Sequence, residues 1–314
     1  MSANNGKVQQ MKQIIIDESN NNHEKRPRVP AAFPFSSNRI CISQYENKRF
    51  THHWHSELEF TVIEKNGMDY RANDQVFHLR EGDGIFVNSN VLHSAWLSGD
   101  GDCTYFPINM GLTLLRDFEG SDIDTKYISP IFEASDFPCL YLDRDNSRHR
   151  RIINLLRVCV ALRSARENYY ELYIKAKALE IWALICAEAK LARSDQRKST
   201  LTPEKIADIK TALSYIREHY RENISIADLT RTCRMCKSEF SRCFRSLTQQ
   251  TPVEYLQQYR IQMSLNLLAD PDSRVTEVAA ECGFSGPSYY AEIFRRVMGC
   301  SPLEYKKNHT PGAV

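Results

Sequence analysis

Histidine and glutamate alternate along a short segment near the start of the sequence, and another histidine follows further along the chain. The residues are His53, His55, Glu57 and Glu59, followed by His93. Side chains alternate between the two faces of an extended strand, so an uninterrupted strand places the first four on one face. Imidazole and carboxylate groups offer hydrogen-bonding atoms and charge to a small polar molecule. If this face lines the inside of a barrel, His53, His55, Glu59 and His93 form a candidate ligand pocket.

The segment around these residues has the composition of a small β-structure. Four short runs are rich in β-branched and aromatic side chains, namely Phe60–Ile63, Asp69–Ala72, Gln75–Leu79 and Gly84–Val87. Turn-forming residues separate the runs, and Asn73-Asp74 is a hairpin signal. Short strands with regular turns predict an antiparallel β-barrel over residues 36–145.

A second group of chemistry-bearing residues lies in the last third of the chain, where one unit of sequence occurs twice. Residues 225–258 and 274–308 share aromatic, basic and proline positions at an offset of 49 or 50 residues. Each copy predicts a short helix, a tight turn and a second helix, which is the pattern of a helix-turn-helix motif. Two such motifs, over residues 226–247 and 274–298, could reach two places on a DNA duplex.

The outward face of each second helix carries side chains that suit a DNA groove. Helical periodicity places these residues outward: Lys237, Ser238, Ser241, Arg242 and Arg245 in the first copy, and Ser288, Ala291, Glu292, Arg295 and Arg296 in the second. Hydroxyl and cationic side chains reach base edges and phosphates in a major groove. The whole chain has a net charge of only +2, so these cations must be clustered on one face to favour DNA.

Residues 146–193 are predicted to form two helices between the barrel and the repeated units. One helix has an apolar stripe, and the other, over residues 172–186, is apolar almost all round. Such a helix must be covered on several sides. A partner subunit in a homodimer would provide that cover, and packing within one chain is the alternative. The remaining predicted segments are a disordered arm at 1–35, a polar linker at 194–201 and a DNA-binding domain at 202–309.

Composition argues against several other classes of protein. The sequence lacks a stretch of about 18 apolar residues and therefore predicts no membrane span. The first residues lack a basic-then-apolar signal pattern. Ten cysteines are present, but their irregular spacing does not match a zinc site. We therefore expect reduced, mostly buried cysteines in a cytoplasmic protein.

Over residues 205–308 the sequence resembles the DNA-binding domain of the AraC-type family of bacterial transcription regulators. The resemblance is carried by Ile226-Ala227-Asp228-Leu229, Phe240-Ser241-Arg242, Thr251-Pro252, Cys282-Gly283-Phe284-Ser285, Pro287-Ser288-Tyr289-Tyr290 and Phe294-Arg295-Arg296. Members of this family typically place the two second helices in successive major grooves. Carried over by position, the resemblance implies base contacts from the following residues: Ser238, Ser241, Arg242, Pro287, Ser288, Ala291 and Glu292.

Three positions depart from the family pattern. Arg234 and Gln249 stand where the family usually has a turn glycine, and both positions are expected to need a positive φ. Glu292 stands at the repeat partner of Arg242, where an arginine is common. A carboxylate there could accept from a cytosine amino group, or phosphates could repel it and so weaken the second half-site.

The N-terminal motif resembles that of the cupin barrel. The residues concerned are His53-Trp54-His55, Glu59, Gly84 and His93. In cupin enzymes the four histidine and glutamate side chains bind a divalent metal, whereas in sensor domains of AraC-type regulators the same pattern is often a relic or lines a ligand pocket. The second cupin motif is degraded here, with Asn88-Ser89-Asn90 where a proline is usual. Metal binding, a ligand pocket and a purely structural role all stay open; we favour the ligand pocket and assign no metal and no cofactor.

Together these observations predict an α+β protein. A cupin-like antiparallel β-barrel with a helical pair is followed by an all-α domain with two helix-turn-helix motifs. The predicted function is that of a transcription regulator, not an enzyme, which binds promoter or operator double-stranded DNA and is controlled by a small-molecule effector in the barrel.

The predicted partners and the alternatives follow from the same resemblance. A sugar is one candidate effector, RNA polymerase is one further partner, and no membrane is involved. Two alternatives stay open. One is a metal-dependent cupin enzyme fused to a DNA-binding domain, and the other is an architectural DNA-binding protein whose barrel only dimerises.

Overall fold

The computed structural model describes residues 28–97, 99, 101–118, 120–192 and 201–309. Within these ranges the fold is α+β. The strands are β1 (Phe35–Ser37), β2 (Ile40–Cys41), β3 (Arg49–His53), β4 (Leu58–Lys65), β5 (Gly67–Ala72), β6 (Gln75–Arg80), β7 (Gly84–Val87), β8 (His93–Trp96), β9 (Thr104–Met110) and β10 (Cys139–Leu142). The helices are α1 (Ser129–Phe132), α2 (Ser147–Ala165), α3 (Tyr170–Ala192), α4 (Pro203–His219), α5 (Ile226–Arg231), α6 (Lys237–Thr248), α7 (Pro252–Leu268), α8 (Val275–Glu281), α9 (Pro287–Met298) and α10 (Pro302–His309).

The strands form two antiparallel sheets that share one apolar core. The first sheet has the order β1-β9-β4-β7-β10 with β2 paired to β9, and the second has the order β3-β8-β5-β6. All four predicted strands are confirmed, and Asn73, with a φ of 51°, lies in the predicted turn between β5 and β6. Ile63 and Ile85 of the first sheet lie in one buried cluster with Tyr70 and Ala95 of the second. Alternate side chains of each strand therefore fill the space between the sheets.

The helices α2 and α3 cover the other face of the first sheet. Phe60 and Phe86, whose neighbours in sequence face the space between the sheets, belong to a buried cluster with Leu156, Ile181 and Trp182 of the two helices. Because both faces of this sheet are covered, the two predicted helices become part of the N-terminal core. No helix in the described ranges has both the length and the apolar character needed to cross a membrane.

The prediction of a disordered arm over residues 1–35 is wrong for its last part. Residues 1–27 lie outside the described ranges, whereas residues 28–35 pack against the sheets. Val29 is buried, and Phe35 is fully buried as the first residue of β1. Burial of these apolar side chains offsets the entropy lost when the segment is ordered. The predicted polar linker falls almost wholly outside the described ranges.

The helices α4 to α10 form two apolar clusters that are joined by one long helix. The first cluster contains side chains of α4, α5 and α6, and the second contains side chains of α8, α9 and α10. The joining helix, α7, gives Leu256 to the first cluster and Ile261 and Leu265 to the second. The two helix-turn-helix motifs, α5–α6 and α8–α9, are therefore packed against opposite ends of the same rod.

Capping interactions explain where these helices begin. Ser225 caps α5 in a capping box with Asp228, and Thr251 caps α7 in the same way with Glu254. In each box the hydroxyl accepts from a first-turn amide, while the carboxylate accepts from the amide of the capping residue. These contacts satisfy amides that have no partner inside the helix.

The two positions at which the family usually has a turn glycine, Arg234 and Gln249, differ in the structure. Gln249 ends α6 in the left-handed region with a φ of 59°, so the expected positive φ is confirmed there. The expectation is wrong for Arg234, whose φ is not positive. Its amide donates instead to Asp208 Oδ2 at 3.0 Å. The first motif thus turns through a different backbone path from the second, in which Gly283 has a φ of 78°.

We predict that Gly283→Ala destabilises the protein more than Gly299→Ala does. Both glycines have a positive φ, of 78° and 76°, so each alanine should cost about 1–2 kcal/mol of backbone strain. A Cβ at position 283 would also lie 2.6 Å from the Arg221 carbonyl oxygen, whereas a Cβ at position 299 would meet nothing within 4 Å. Urea unfolding of both variants checks this. Equal losses in the free energy of unfolding would contradict the steric explanation.

Candidate DNA interface and effector site

The second helices of the two motifs, α6 and α9, have matching buried and exposed sides. Phe240 and Phe244 of α6, and Tyr290 and Phe294 of α9, are fully buried in the two apolar clusters. These aromatic side chains anchor each helix to its own cluster, so the opposite side of each helix faces outward.

The predicted DNA-contacting residues lie on those outward sides. The exposed ones are Lys237, Ser238, Arg242 and Arg245 on α6, and Pro287, Ser288, Glu292, Arg295 and Arg296 on α9. Ser241 and Ala291 are half-buried, and the Ser241 hydroxyl donates to the Lys237 carbonyl at 2.9 Å. The structure therefore gathers the predicted residues into two surfaces, one for each motif.

Most of the cations on these surfaces form no ion pair with a described residue. Arg242, Arg245 and Arg295 make no ion pair with any residue in the described ranges. Arg296 donates to the amide oxygen of Gln257 at 2.7 Å. Guanidinium groups without an ion-pair partner keep their charge and their N–H donors available for an anionic partner, such as the phosphate backbone of DNA.

The predicted histidine and glutamate cluster forms, but not on a single strand. β3 ends at His53 and β4 begins at Leu58, so the interpretation of one continuous strand face is wrong. His53 instead lies opposite His93 in the register of β3 and β8. The chain then bends back between the strands and brings His55 and Glu59 to the same place. The four residues are 1–4 % exposed, and their candidate ligand atoms all lie within 4.8 Å of one another.

Two of the histidines are held with a bare nitrogen pointing into the cluster. The Nδ1 atoms of His53 and His93 each lie 2.8 Å from a backbone carbonyl oxygen, those of Thr51 and Val91. A carbonyl can only accept, so each Nδ1 carries the hydrogen. Burial lowers the pKa of both histidines and keeps their rings neutral. Each Nε2 therefore presents a buried lone pair to the cluster; that of His53 has no hydrogen-bond partner, and that of His93 lies 3.5 Å from Glu59 Oε2.

The other half of the cluster supplies a carboxylate. His55 Nε2 lies 3.2 Å from Glu59 Oε2, and the Tyr70 hydroxyl donates to Glu59 Oε1 at 2.8 Å. Three imidazole nitrogens and one carboxylate are a donor set that suits a divalent transition metal. The Nε2 atoms of His53 and His93, each oriented by a carbonyl oxygen on the other ring nitrogen, fit that use.

Sequence analysis missed a contact between the barrel and the helical domain. Arg217 of α4 is buried, with its guanidinium over the Trp54 ring at 5.2 Å. It also donates to the Tyr255 hydroxyl at 2.8 Å and to the His52 carbonyl at 3.4 Å. A signal existed, because Arg217 falls on the same helical stripe as the buried residues Ile209, Ala212, Leu213 and Ile216. A cation within an apolar stripe indicates a buried polar contact.

Comparison with protein families matches both parts of the chain. Residues 38–180 match the AraC-like ligand binding domain, and residues 229–308 match a helix-turn-helix domain. The two matches fall on the sheet domain with its helical pair and on the two helix-turn-helix motifs.

Similar proteins carry the same combination. An uncharacterized HTH-type transcriptional regulator, YdeC of Bacillus subtilis, is 30% identical over 297 residues, which cover 95% of this chain and 99% of YdeC. The transcriptional activator RhaR of Mannheimia succiniciproducens is 22% identical over 265 residues, which cover 82% of this chain and 87% of RhaR.

Among solved structures, ToxT of Vibrio cholerae with a bound unsaturated fatty acid is 13% identical. The match covers 88% of this chain and 96% of that chain, with a TM-score of 0.44. The YdeC match extends over nearly the whole of both chains and includes both domains. This chain therefore belongs to the AraC family of transcription regulators, with an N-terminal ligand-binding domain and a C-terminal helix-turn-helix DNA-binding domain.

Proposed function

We propose that α6 and α9 enter successive major grooves of one operator and that their outward residues make the contacts. The observation that carries this proposal is the pair of equivalent exposed surfaces, each with arginines that no carboxylate of the described residues neutralises. The joining helix α7 has 17 residues, which span ~26 Å at 1.5 Å per residue. Together with the flanking turns, this length suits two recognition helices about one DNA turn apart, roughly 34 Å.

The two half-sites are expected to contribute unequally. Arg242 has the geometry to donate two hydrogen bonds to a guanine, whereas its repeat partner Glu292 presents an exposed carboxylate. We propose that Arg242 reads a base and that Glu292 is repelled by nearby phosphates. The second motif then binds DNA mainly through its arginines and hydroxyl groups.

We propose that His53, His55, Glu59 and His93 form the sensing site, and that the group they hold directly is a divalent metal ion. Their ligand atoms are too close together for an organic molecule to lie between them. A bound ion would supply a Lewis-acid centre to which an oxygen or nitrogen atom of an effector could bind. A sugar, with its hydroxyl groups, remains one such effector.

A cupin enzyme would use the same four residues, so the cluster alone does not separate regulation from catalysis. The relatives described above are transcription regulators. Intact metal ligation therefore does not by itself favour a catalytic role.

The remaining partners are proposed on narrower grounds. The apolar side chains Leu172, Tyr173 and Leu179 of α3 are exposed, which supports a homodimer built on the α2–α3 pair. Binding to a promoter places RNA polymerase within reach as a partner. The ten free cysteines are consistent with action in the cytoplasm, where reduced thiols persist.

We expect binding of the full-length protein to operator DNA to weaken steeply as salt rises, because its arginines displace counterions from phosphates. Arg295→Ala should reduce the magnitude of the slope of log affinity against log salt concentration by about 1, since one phosphate contact is lost. Gel shifts over a salt series measure both. An unchanged slope would exclude Arg295 from the backbone contacts.

We expect Arg242→Ala to cost ~1–3 kcal/mol of binding free energy and to relax the preference at a single base pair. Glu292→Ala should cost less or tighten binding, because it removes a negative charge near phosphates. Selection from random DNA, followed by titration, compares these variants with Arg151→Ala, an exposed arginine on α2 that pairs with Glu180. A loss for Glu292→Ala as large and as base-specific as that for Arg242→Ala would identify Glu292 as a cytosine contact.

We expect purified protein to contain a divalent transition metal, and both His55→Ala and Glu59→Gln to lose it. Loss of a ligand leaves the other imidazoles without their shared partner, so the melting temperature should fall as well. Metal content by mass spectrometry and melting curves provide the measurements. The matched control is His78→Ala, an exposed histidine of β6 that bonds to Asp69 at 2.7 Å.

The same variants test the sensing role in cells. His55→Ala should abolish the response of a reporter gene to the inducer, whereas His78→Ala should retain it. A normal response in His53→Ala, His55→Ala and Glu59→Gln alike would remove the cluster from the sensing site, whatever its metal content.

A further inference from the structure

A cleft of about 410 Å³ lies between the second sheet and the helical domain. The sheet contributes Arg49, Arg71 and Trp96, and the helical domain contributes Gln258, Tyr259 and Gln262 of α7. The end of α6 also lines the cleft, through Thr248 and Gln249. A volume of this size accommodates a small organic molecule.

The cleft is on the opposite face of the sheet from the histidine cluster. In the register of β3, β8 and β5, Arg49 lies opposite Trp96 and Arg71 lies opposite Ser94. Ala95, which alternates with Ser94 and Trp96, belongs to the core between the sheets. The arginines and Trp96 therefore project outward, toward α6 and α7, and not into the barrel.

The lining is cationic, and none of the described residues that form it is acidic. The Arg49 guanidinium makes no hydrogen bond or ion pair with any residue in the described ranges, and burial lowers its pKa. Arg71 is only 5% exposed and donates to the Ser246 carbonyl at 3.3 Å. A guanidinium removed from water is costly unless an anion accompanies it. The Asp74 carboxylate partly offsets the lowering of the Arg71 pKa by burial, but Asp74 does not line the cleft.

Two polar atoms in the cleft wall have no hydrogen-bond partner. They are His52 Nε2 and Ser94 Oγ, both of which are buried. Buried polar atoms are rarely left without a partner in a folded protein, so their joint presence beside two guanidinium groups that form no ion pair with a described residue indicates a bound polar group. The rings of Trp96 and Tyr259 provide an apolar surface in the same cleft.

We propose that this cleft binds a small organic acid. The carboxylate lies between Arg49 and Arg71, whose planar donors match its two oxygens. The apolar body of the acid packs against the aromatic rings, and the glutamine amides of α7 complete the polar lining. This site is a second effector site, separate from the histidine cluster inside the barrel.

The position of the cleft couples this ligand to DNA binding. One wall belongs to the ligand-binding domain and the other includes the C-terminal end of α6, the first recognition helix. A ligand that touches both walls binds only one relative arrangement of the two domains well. By linkage, the acid changes the affinity for DNA, and DNA changes the affinity for the acid by the same factor.

Calorimetric titration of the full-length protein tests the proposal with benzoate, phenylacetate and octanoate, each beside its neutral amide, and with inorganic phosphate. We expect at least one carboxylate to bind at least about tenfold more tightly than its amide, since a charge-assisted bond is lost in the amide. Equal binding of acid and amide would overturn the proposal, as would binding of phosphate without binding of any carboxylate.

Substitutions in the cleft test whether the acid binds there. Arg49→Met should weaken binding of the acid at least about tenfold. Gln262→Trp, which keeps both arginines and fills the cleft, should do the same. The control Arg39→Met removes an exposed arginine that pairs with Glu64 on the first sheet, and it should bind normally. Unchanged affinity in both cleft variants, with melting curves that show folded protein, would overturn the location.

The coupling is measured by repeating the titration on the protein saturated with operator DNA. A changed affinity for the acid supports the regulatory role. An unchanged affinity would overturn it.

Discussion

A buried guanidinium, that of Arg217, joins the two domains at their interface. It projects from α4 against β3, over the Trp54 ring and close to Tyr259 of α7, and it donates to both domains. Removing a charge from water costs several kcal/mol. The cost is recovered only when the donors find acceptors and the aromatic rings lie beside the cation, where the interaction reaches ~2 kcal/mol. These requirements fix the distance and orientation between the second sheet and α7.

The two faces of the second sheet consequently line different candidate sites. On β8, His93 and Ala95 project between the sheets, whereas Ser94 and Trp96 project toward the helical domain. The strand period of two places a residue of the barrel cluster directly beside a residue of the outer cleft. A shift of β8 caused by a ligand on one face of the sheet would therefore displace side chains on the other face. The sheet is thus the shortest physical route from the barrel interior to the recognition helices.

Local sequence rules predicted the elements well, because each depends on a few neighbouring residues. The outward face of α6 required only spacing and residue type, and it lies opposite the buried residues of that helix as predicted. The positive φ at Gln249 also followed from its place after a helix. The same rule failed at Arg234, since a hydrogen bond to Asp208 on another helix stabilises a different turn. Sequence position alone does not reveal such a tertiary contact.

The candidate sites were predicted less completely, because each is assembled from distant segments. The four residues of the barrel cluster were correctly grouped, but their convergence depends on the register between His53 and His93 and on a break after β3. The outer cleft was not predicted at all. Arg49 and Arg71 have neighbours of ordinary composition, and only the docking of α7 turns them from surface cations into the wall of a cavity.

The long helix α7 has a consequence for the operator itself. Since it packs into both apolar clusters, it cannot bend between them without exposing Ile261 or Leu256. The angle between α6 and α9 is therefore fixed by the protein, and so is their position around the DNA axis if both helices enter one duplex as proposed. One extra base pair between the half-sites rotates the second site by about 34° around that axis. Either the duplex would have to untwist, or α9 would no longer enter its major groove. The half-sites must therefore keep a constant rotational phase.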